Sequence, residues 1–139
     1  MPDYNALKDK FGPFCLFNEP AANFTTYRAG GAAAALVKPG SPRDLSWLWR
    51  WCLEKNEPFR VLGRGSNVLV SDKGLEGVTA LTERLAGLEI SGGSVKAGSG
   101  VLWDDLARVC AEKGLAGCEK TSGIPGTVGG AVRMNAGAY

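Results

Sequence analysis

The chain has 139 residues, enough for one ordinary domain and too few for an enzyme that needs two full domains. The 16 Lys and Arg residues against 14 Asp and Glu residues leave a net charge of +2, far weaker than a nucleic-acid-binding face requires, so we predict no nucleic-acid partner. The sequence contains no histidine and no Cys-x-x-Cys pair, which removes the usual zinc sites and histidine-based nucleophiles, so we predict no metal site.

The first half of the chain predicts strands and one helix in the order of a parallel α/β unit. Residues 33–37 predict a short strand, and Ser41 begins a helix that has Pro42 at its first position and Asp44 in the capping-box position. Apolar residues at helical spacing continue this helix to about residue 56: Leu45, Leu48, Trp49, Cys52 and Leu53. Further extended segments are predicted at residues 59–62, 68–70 and 78–81.

The pattern changes near residue 82, after which the chain predicts antiparallel pairing and a second helix. Residues 88–90 and 95–97 flank a Ser-Gly-Gly-Ser turn, in which glycine supplies the positive φ of a tight hairpin. A second helix is indicated by Leu102, Leu106, Val109 and Cys110, with Gly114 as its C-terminal cap. The tail from residue 117 to 139 shows neither a helical nor a strand period.

No segment of the sequence predicts membrane association. The longest apolar stretch, residues 32–37, is much shorter than the ~20 residues of a membrane span, and the charged residues 1–10 lack a signal-peptide core. We therefore expect a cytoplasmic protein. Its cysteines are expected to be buried, reduced thiols: Cys15, Cys52, Cys110 and Cys118.

Glycine makes up 20 of the residues, about twice its usual share, and concentrates in two segments. The first segment, Gly63-Arg64-Gly65-Ser66-Asn67, directly follows a predicted strand. Its backbone N–H groups could approach an anion such as a pyrophosphate, and a plain turn between strands fits the same residues equally well. A Rossmann fingerprint is excluded because the third glycine is missing and residues 68–70 are predicted to continue as a strand.

The second segment, residues 123–139, reads Gly-Ile-Pro-Gly-Thr-Val-Gly-Gly-Ala-Val-Arg-Met-Asn-Ala-Gly-Ala-Tyr. Such a chain can lie flat against a broad, partly apolar ligand such as a flavin ring with its ribityl chain. A tightly packed irregular core segment is the alternative, and composition alone favours it. A P-loop at residues 114–121 is excluded because Glu119 stands where the second glycine belongs.

Three motifs, taken in order, carry a resemblance to a known family. They are Phe-Thr-Thr-Tyr-Arg-Ala-Gly-Gly at residues 24–31, Leu-Gly-Arg-Gly-Ser-Asn-Val-Leu-Val-Ser-Asp at 62–72, and the glycine-rich segment 123–139. Over about residues 18–139 the chain resembles the UDP-N-acetylenolpyruvoylglucosamine reductases, also called UDP-N-acetylmuramate dehydrogenases, which are flavin enzymes of peptidoglycan synthesis and cell wall biogenesis.

The resemblance implies an α+β fold, the FAD-binding domain of the vanillyl-alcohol-oxidase (PCMH) type. It implies a small parallel α/β subdomain over residues 1–82 and an incomplete antiparallel α+β subdomain over residues 83–139, with FAD held between them. The first glycine segment would wrap the FAD pyrophosphate, and the second would line the flavin and ribityl chain. The cofactor-binding residues implied in this way are Gly63, Arg64, Gly65, Ser66, Asn67, Ile124, Pro125, Gly126, Thr127, Val128, Gly129, Gly130, Asn135 and Gly137.

The family is an oxidoreductase family: its members pass a hydride from NADPH through the flavin to the enolpyruvyl double bond of a UDP-sugar. The second step uses an arginine in a Tyr-Arg-x-Ser motif, a serine proton donor in Gly-Ser-x-Phe-Lys-Asn-Pro, and a glutamate near the C-terminus. Neither motif occurs in these residues, and no glutamate here fits the third role, so no catalytic residue is assigned to this chain.

We therefore expect a fragment without the substrate-binding domain, inactive alone. In the complete enzyme its partners would be FAD, NADPH and the UDP-sugar. A stand-alone flavin- or nucleotide-binding module without turnover is the alternative. The open strand edges of an incomplete sheet are expected to favour self-association or to recruit a complementing chain.

Overall fold

The fold is described from a computed structural model of the chain, over residues 3–137. Its helices are α1 (Asn5–Phe11), α2 (Pro42–Glu54), α3 (Trp103–Glu112) and α4 (Val128–Met134). Its strands are β1 (Cys15–Pro20), β2 (Ala32–Val37), β3 (Phe59–Leu62), β4 (Leu75–Leu81), β5 (Leu88–Ser91) and β6 (Ser94–Ala97). In this part of the chain no helix combines the length and the apolar character needed to cross a membrane.

Four strands form the first sheet in the order β1-β2-β4-β3. Strands β2, β4 and β3 run parallel, which confirms the parallel arrangement predicted from the strand, helix, strand order. Strand β1 was not predicted; it pairs antiparallel with β2, so that the sheet is mixed, with β1 and β3 at its edges. Strand β1 is hard to predict because its sequence contains Asn18, which adopts a positive φ of 54°, and Pro20 at its end, and both residue types are uncommon in strands.

Helix α2 begins as its sequence predicts. The Ser41 hydroxyl accepts a hydrogen bond from the backbone N–H of Asp44 at 3.1 Å, and Pro42 occupies the first turn. The predicted core stripe is partly wrong, because Trp49 and Leu53 are exposed. The buried stripe is instead Leu48, Trp51 and Cys52, which lie three and four residues apart on the face that meets the sheet.

The main core lies where α1 and α2 pack on one face of the first sheet. Leu7 and Phe11 of α1 and Leu48 of α2 belong to one buried cluster with Val37 and Val78 of the central strands. Several of these side chains have essentially no exposed surface, and burial of each stabilises the fold by roughly 1.5–3 kcal/mol. The loop that follows β3 begins beyond this core, at the carboxyl end of the strand.

The second half of the chain contains the predicted hairpin and second helix. Strands β5 and β6 pair antiparallel around Gly92 and Gly93, whose φ values are 54° and 82°. A small core of Val101, Leu106 and Cys110 forms beneath them, and Cys118 packs against it. Cys118 is only half-buried, which corrects the expectation of four buried thiols.

Two further local predictions were wrong. Residues 68–70 form no strand, because the chain turns at 66–67 and no neighbouring strand pairs with it; Leu69 is exposed. The tail was expected to lack a helical period, yet it contains α4, which the Thr127 hydroxyl caps by accepting from the Gly130 N–H at 3.3 Å. The two glycines of α4 made this helix hard to predict, because each glycine costs about 1 kcal/mol in a helix relative to alanine.

Candidate functional site

The loop 63–67 leaves the carboxyl end of β3 and is held by its contact with a preceding segment of the chain. Gly65 is buried and has a φ of 67°, a conformation that side chains rarely adopt. A Cβ on Gly65 would run into the backbone carbonyl oxygen of Phe24, and the Gly65 carbonyl accepts a hydrogen bond from the Thr26 N–H at 3.0 Å. Residue 65 must therefore be glycine for reasons internal to the protein.

The same loop presents unpaired donors. Among residues 3–137, no protein acceptor pairs with the backbone N–H groups of residues 64, 65, 66 and 67. Four successive N–H groups around a glycine with left-handed φ are typical of the concavities that bind phosphate oxygens. The residues present thus fit the pyrophosphate of a dinucleotide.

The second glycine segment is fixed at the start of α4 by the chain that enters α3. The Trp103 N–H donates to the Gly126 carbonyl oxygen at 3.0 Å, and the Val128 N–H donates to the Val101 carbonyl oxygen at 2.8 Å. Gly129 packs so closely on Ser99 that a Cβ would clash there. Thr127 is buried at the centre of these contacts.

The two glycine segments touch each other. The Ser66 hydroxyl donates a hydrogen bond to the carbonyl oxygen of Pro125 at 3.1 Å. A Cβ on Gly63 would overlap the Thr127 hydroxyl, and a Cβ on Gly126 would lie 2.9 Å from the Ser66 oxygen. The structure therefore brings together, at closest approach, the two segments that the sequence analysis singled out separately.

A cleft of about 830 Å³ opens beside this junction, within the 300–1,000 Å³ range typical of small-molecule sites. Three of the residues assigned to the cofactor line it: Gly63, Arg64 and Thr127. The opposite wall comes from the second half of the chain and includes Leu88, Val101, Leu102 and Val109. The second half of the chain also contributes the charged residues Asp105 and Arg108, so the lining mixes apolar and polar side chains.

The other assigned residues lie outside the lining of this cleft. Ser66, Pro125 and Gly126 form the contact between the two loops, whereas Gly65 packs on Phe24 and Thr25, and Gly129 packs on Ser99. Asn67 is exposed, and Ile124, Val128 and Gly130 are half-buried around the start of α4. Asn135, with φ and ψ both 48°, ends α4, and it and Gly137 are exposed. Their assignment to the cofactor stays a prediction.

Sequence reasoning gave no site role to the segment that contacts Gly65. This segment contributes Asn23, Phe24, Thr25, Thr26 and Arg28 to the cleft. All of these residues except Asn23 belong to the first of the three quoted motifs, so the signal was present in the sequence. Nothing in its composition points to a ligand, because the segment adjoins the cleft only through the fold.

The acidic groups of the cleft already have basic partners. The Glu83 carboxylate lies 2.8 Å from the Lys38 ammonium, and Asp105 lies 3.2 Å from the Arg108 guanidinium. Hydrogen bonds from Arg108 to Asp105 and then to Glu112 raise the pKa of Arg108. Among the described residues, the arginines that line the cleft without an ion pair are Arg28 and Arg64.

A second cavity, of about 780 Å³, lies between α3 and residues 114–122. Its lining includes Asp104, Leu115 and Cys118 and none of the residues assigned to the cofactor. One edge is fixed by the Gly123 N–H, which donates to the Asp104 carboxylate at 2.8 Å. We assign it no role.

The model of a family described as "FAD binding domain" matches residues 33–139. UDP-N-acetylenolpyruvoylglucosamine reductase of Rubrobacter xylanophilus is 46% identical over 128 residues, which cover 91% of this chain and 43% of the relative. The reductase of Halalkalibacterium halodurans is 48% identical over 123 residues, covering 88% and 41%. The chain therefore spans about two fifths of the length of these curated relatives.

Solved structures share the fold. The crystal structure of UDP-N-acetylenolpyruvylglucosamine reductase from Thermus caldophilus matches with a TM-score of 0.72 and 34% identity, over 89% of this chain and 42% of that one. Cholesterol oxidase from B. sterolicum matches with a TM-score of 0.63 and 18% identity, over 82% and 23%, which shows the fold alone.

These findings confirm the resemblance to the reductases and the predicted α+β fold of the PCMH type. The division at residue 82 stays a prediction, although β4 ends at Leu81 and β5 begins at Leu88. FAD is the cofactor of the family whose model covers more than half of the residues. The chain belongs to the FAD binding domain family, and within it resembles the FAD-binding part of the UDP-N-acetylenolpyruvoylglucosamine reductases.

Proposed function

We propose that this chain is the FAD-binding portion of an NADPH-dependent reductase that converts enolpyruvyl-UDP-N-acetylglucosamine to UDP-N-acetylmuramate. The observation that carries the proposal is the junction of the two glycine segments at the cleft, with four unpaired N–H groups on one of them. The names of the relatives support a reductase of this UDP-sugar, and the family resemblance supports NADPH as the hydride donor. The predicted compartment is the cytoplasm, in keeping with four free cysteines.

The residues of this chain would bind and orient the cofactor. The N–H groups of residues 64–67 would hold the pyrophosphate, and Thr127 would keep the second segment against Gly63. The apolar wall at Leu88 and Val101 would exclude water from one side of the bound ring system. Bound FAD supplies hydride transfer between the nicotinamide donor and the enolpyruvyl double bond.

Turnover would need groups beyond those identified here. The motifs that the family uses for the carboxylate and the proton donor do not occur in the 139 residues, so the chain alone is proposed to be inactive toward the UDP-sugar. The alternative function is a flavin-binding module without turnover. The open edges of β3 and of the β5–β6 hairpin are where a complementing chain or a second copy would add a strand.

An absorbance spectrum of the protein as purified, followed by FAD titration, tests the cofactor. Steady NADPH oxidation that depends on the UDP-sugar would contradict the proposed inactivity. Adding the remaining part of a related reductase in trans separates the two functions: restored turnover supports the reductase portion. Bound FAD without restored turnover favours the module.

A further inference from the structure

Arg28 has an unusual backbone conformation for an arginine. Its φ is 52°, in the left-handed region that costs free energy for any residue with a Cβ. Only three other non-glycine residues within 3–137 have a positive φ, and all three are asparagines: Asn18, Asn56 and Asn135. Asparagine tolerates this region, whereas arginine has no such preference. The strain at Arg28 therefore calls for a reason outside local propensity.

The turn that contains Arg28 is fixed rather than loose. The Arg28 N–H donates to the Thr25 carbonyl oxygen at 3.2 Å, and the Thr25 hydroxyl donates to the Ala29 carbonyl oxygen at 3.3 Å. Within the same turn, the backbone N–H of Thr26 donates a hydrogen bond to the Gly65 carbonyl oxygen at 3.0 Å. This turn is thus anchored directly on the loop with the unpaired N–H groups.

The charge of Arg28 is not neutralised within the described chain. Its side chain is exposed and lines the cleft, and it forms no ion pair with residues 3–137. The two acidic residues of the cleft, Glu83 and Asp105, are paired with Lys38 and Arg108. An anionic ligand is what an unpaired guanidinium at a cleft, carried on a fixed backbone turn, would bind.

We infer that Arg28 binds the phosphates of the dinucleotide, and that the strained backbone at Arg28 is retained for this purpose. The inference rests on the proposed function, because it places the pyrophosphate at the loop 63–67. The guanidinium adds charge where the backbone N–H groups supply only dipoles. A strained backbone lowers the stability of the fold, and such strain is retained at binding sites where it fixes the position of the residue.

Three substitutions separate charge from strain. Arg28→Gln removes the charge and keeps the strain, Arg28→Lys keeps both, and Arg28→Gly removes both. Arg50→Gln is the matched control, because Arg50 is exposed on α2, outside the cleft, and its loss changes the net charge equally. Each variant of the full chain is titrated with FAD by flavin fluorescence at low and high salt, and its urea unfolding midpoint is measured.

We expect Arg28→Gln and Arg28→Gly to weaken FAD binding about tenfold at low salt, and to flatten the salt dependence. Arg28→Gly should at the same time raise the unfolding midpoint, so that stability and affinity change in opposite directions. Arg28→Lys should recover most of the affinity, and Arg50→Gln should match the unaltered chain.

The inference is overturned if Arg28→Gln binds FAD as the unaltered chain does, or if Arg50→Gln loses as much affinity. It is also overturned if Arg28→Gly lowers the unfolding midpoint along with the affinity, since the turn would then be structural. If the unaltered chain binds no FAD, the proposed function itself fails. The two failures are therefore distinguishable.

Discussion

The Ser66 hydroxyl donates a 3.1 Å hydrogen bond to the carbonyl oxygen of Pro125, across 59 residues of sequence. This bond joins the loop after β3 to the segment before α4, and it is the direct polar link between the two glycine segments in the described chain. Together with the packing of Gly63 on Thr127, this bond joins the two segments beside the cleft.

Ser66→Ala should therefore loosen the junction. We expect the free energy of unfolding to fall by about 1 kcal/mol, and FAD affinity to fall by several fold, because the two loops lose their alignment. Urea unfolding and flavin titration measure the two effects. Ser46→Ala, on the exposed surface of α2, is the control and should leave FAD affinity unchanged without lowering the free energy of unfolding, because alanine favours a helix. Equal effects of both variants would show that the bond contributes nothing.

Gly65→Val should be the most damaging single change in the first loop. A valine would have to adopt a φ of 67° and would collide with the Phe24 carbonyl oxygen and with Thr25. The sequence analysis related the glycines of this loop to close approach of a phosphate; the structure adds a clash inside the protein.

We expect a lower unfolding midpoint together with the loss of FAD binding for Gly65→Val. Gly87→Ala serves as its control, because a Cβ there meets nothing within 4 Å. A Gly65→Val chain with normal stability and normal FAD affinity would contradict the contact with Phe24.

Asn67→Ala tests the side-chain donors of the loop. Loss of one hydrogen bond to a phosphate should cost about 1 to 3 kcal/mol, which is roughly tenfold to a hundredfold in dissociation constant. Arg64→Ala should cost less than Asn67→Ala or Arg28→Gln, because the exposed Arg64 charge is screened and Arg64 lacks the left-handed backbone and turn hydrogen bonds that fix the position of Arg28. Flavin titration at fixed salt gives the ranking. If Arg64→Ala is the worst of the loop variants, a side-chain clamp holds the phosphates.

Buried thiols should make the fold sensitive to alkaline pH. Burial raises the pKa of Cys15 and of Cys52 from 9.0 to about 11. Between these values the unfolded chain loses thiol protons that the folded chain retains, so the stability present below pH 9 is lost as the pH rises toward 11. Burial and the nearby Glu57 raise the pKa of Tyr4 to about 12, which acts in the same direction at higher pH.

Urea unfolding midpoints measured from pH 8 to pH 11 should therefore decrease. Cys52→Ala should show a shallower decrease than the unaltered chain, whatever its stability at pH 8. An identical pH dependence in the two proteins would show that Cys52 does not titrate differently on unfolding.

Local signals predicted the elements whose ends are set by their own residues. Ser41 and Pro42 marked the start of α2, and the two glycines of the β5–β6 turn marked the hairpin. Elements that depend on distant partners were missed. Strand β1 exists because β2 offers it an edge, and α4 forms although Gly129 and Gly130 disfavour a helix, since Ser99 and Val101 hold its first turn.

The candidate site was likewise predictable where local residues define it and not where distant segments meet. The glycine segments were recognisable from composition and motif, but their contact through Gly63 and Thr127 follows only from the three-dimensional fold. The contribution of residues 23–28 was missed, because it arises from the packing of Phe24 and Thr25 against Gly65.

The position of β4 between β2 and β3 also constrains the order of events during synthesis. Strands β2 and β3 are joined by α2 but do not pair with each other; each pairs with β4. When the ribosome has delivered residues up to 62, the parallel part of the sheet still lacks its central strand. Strand β3 therefore cannot join the parallel part of the sheet until residues 75–81 emerge and β4 enters between its two neighbours.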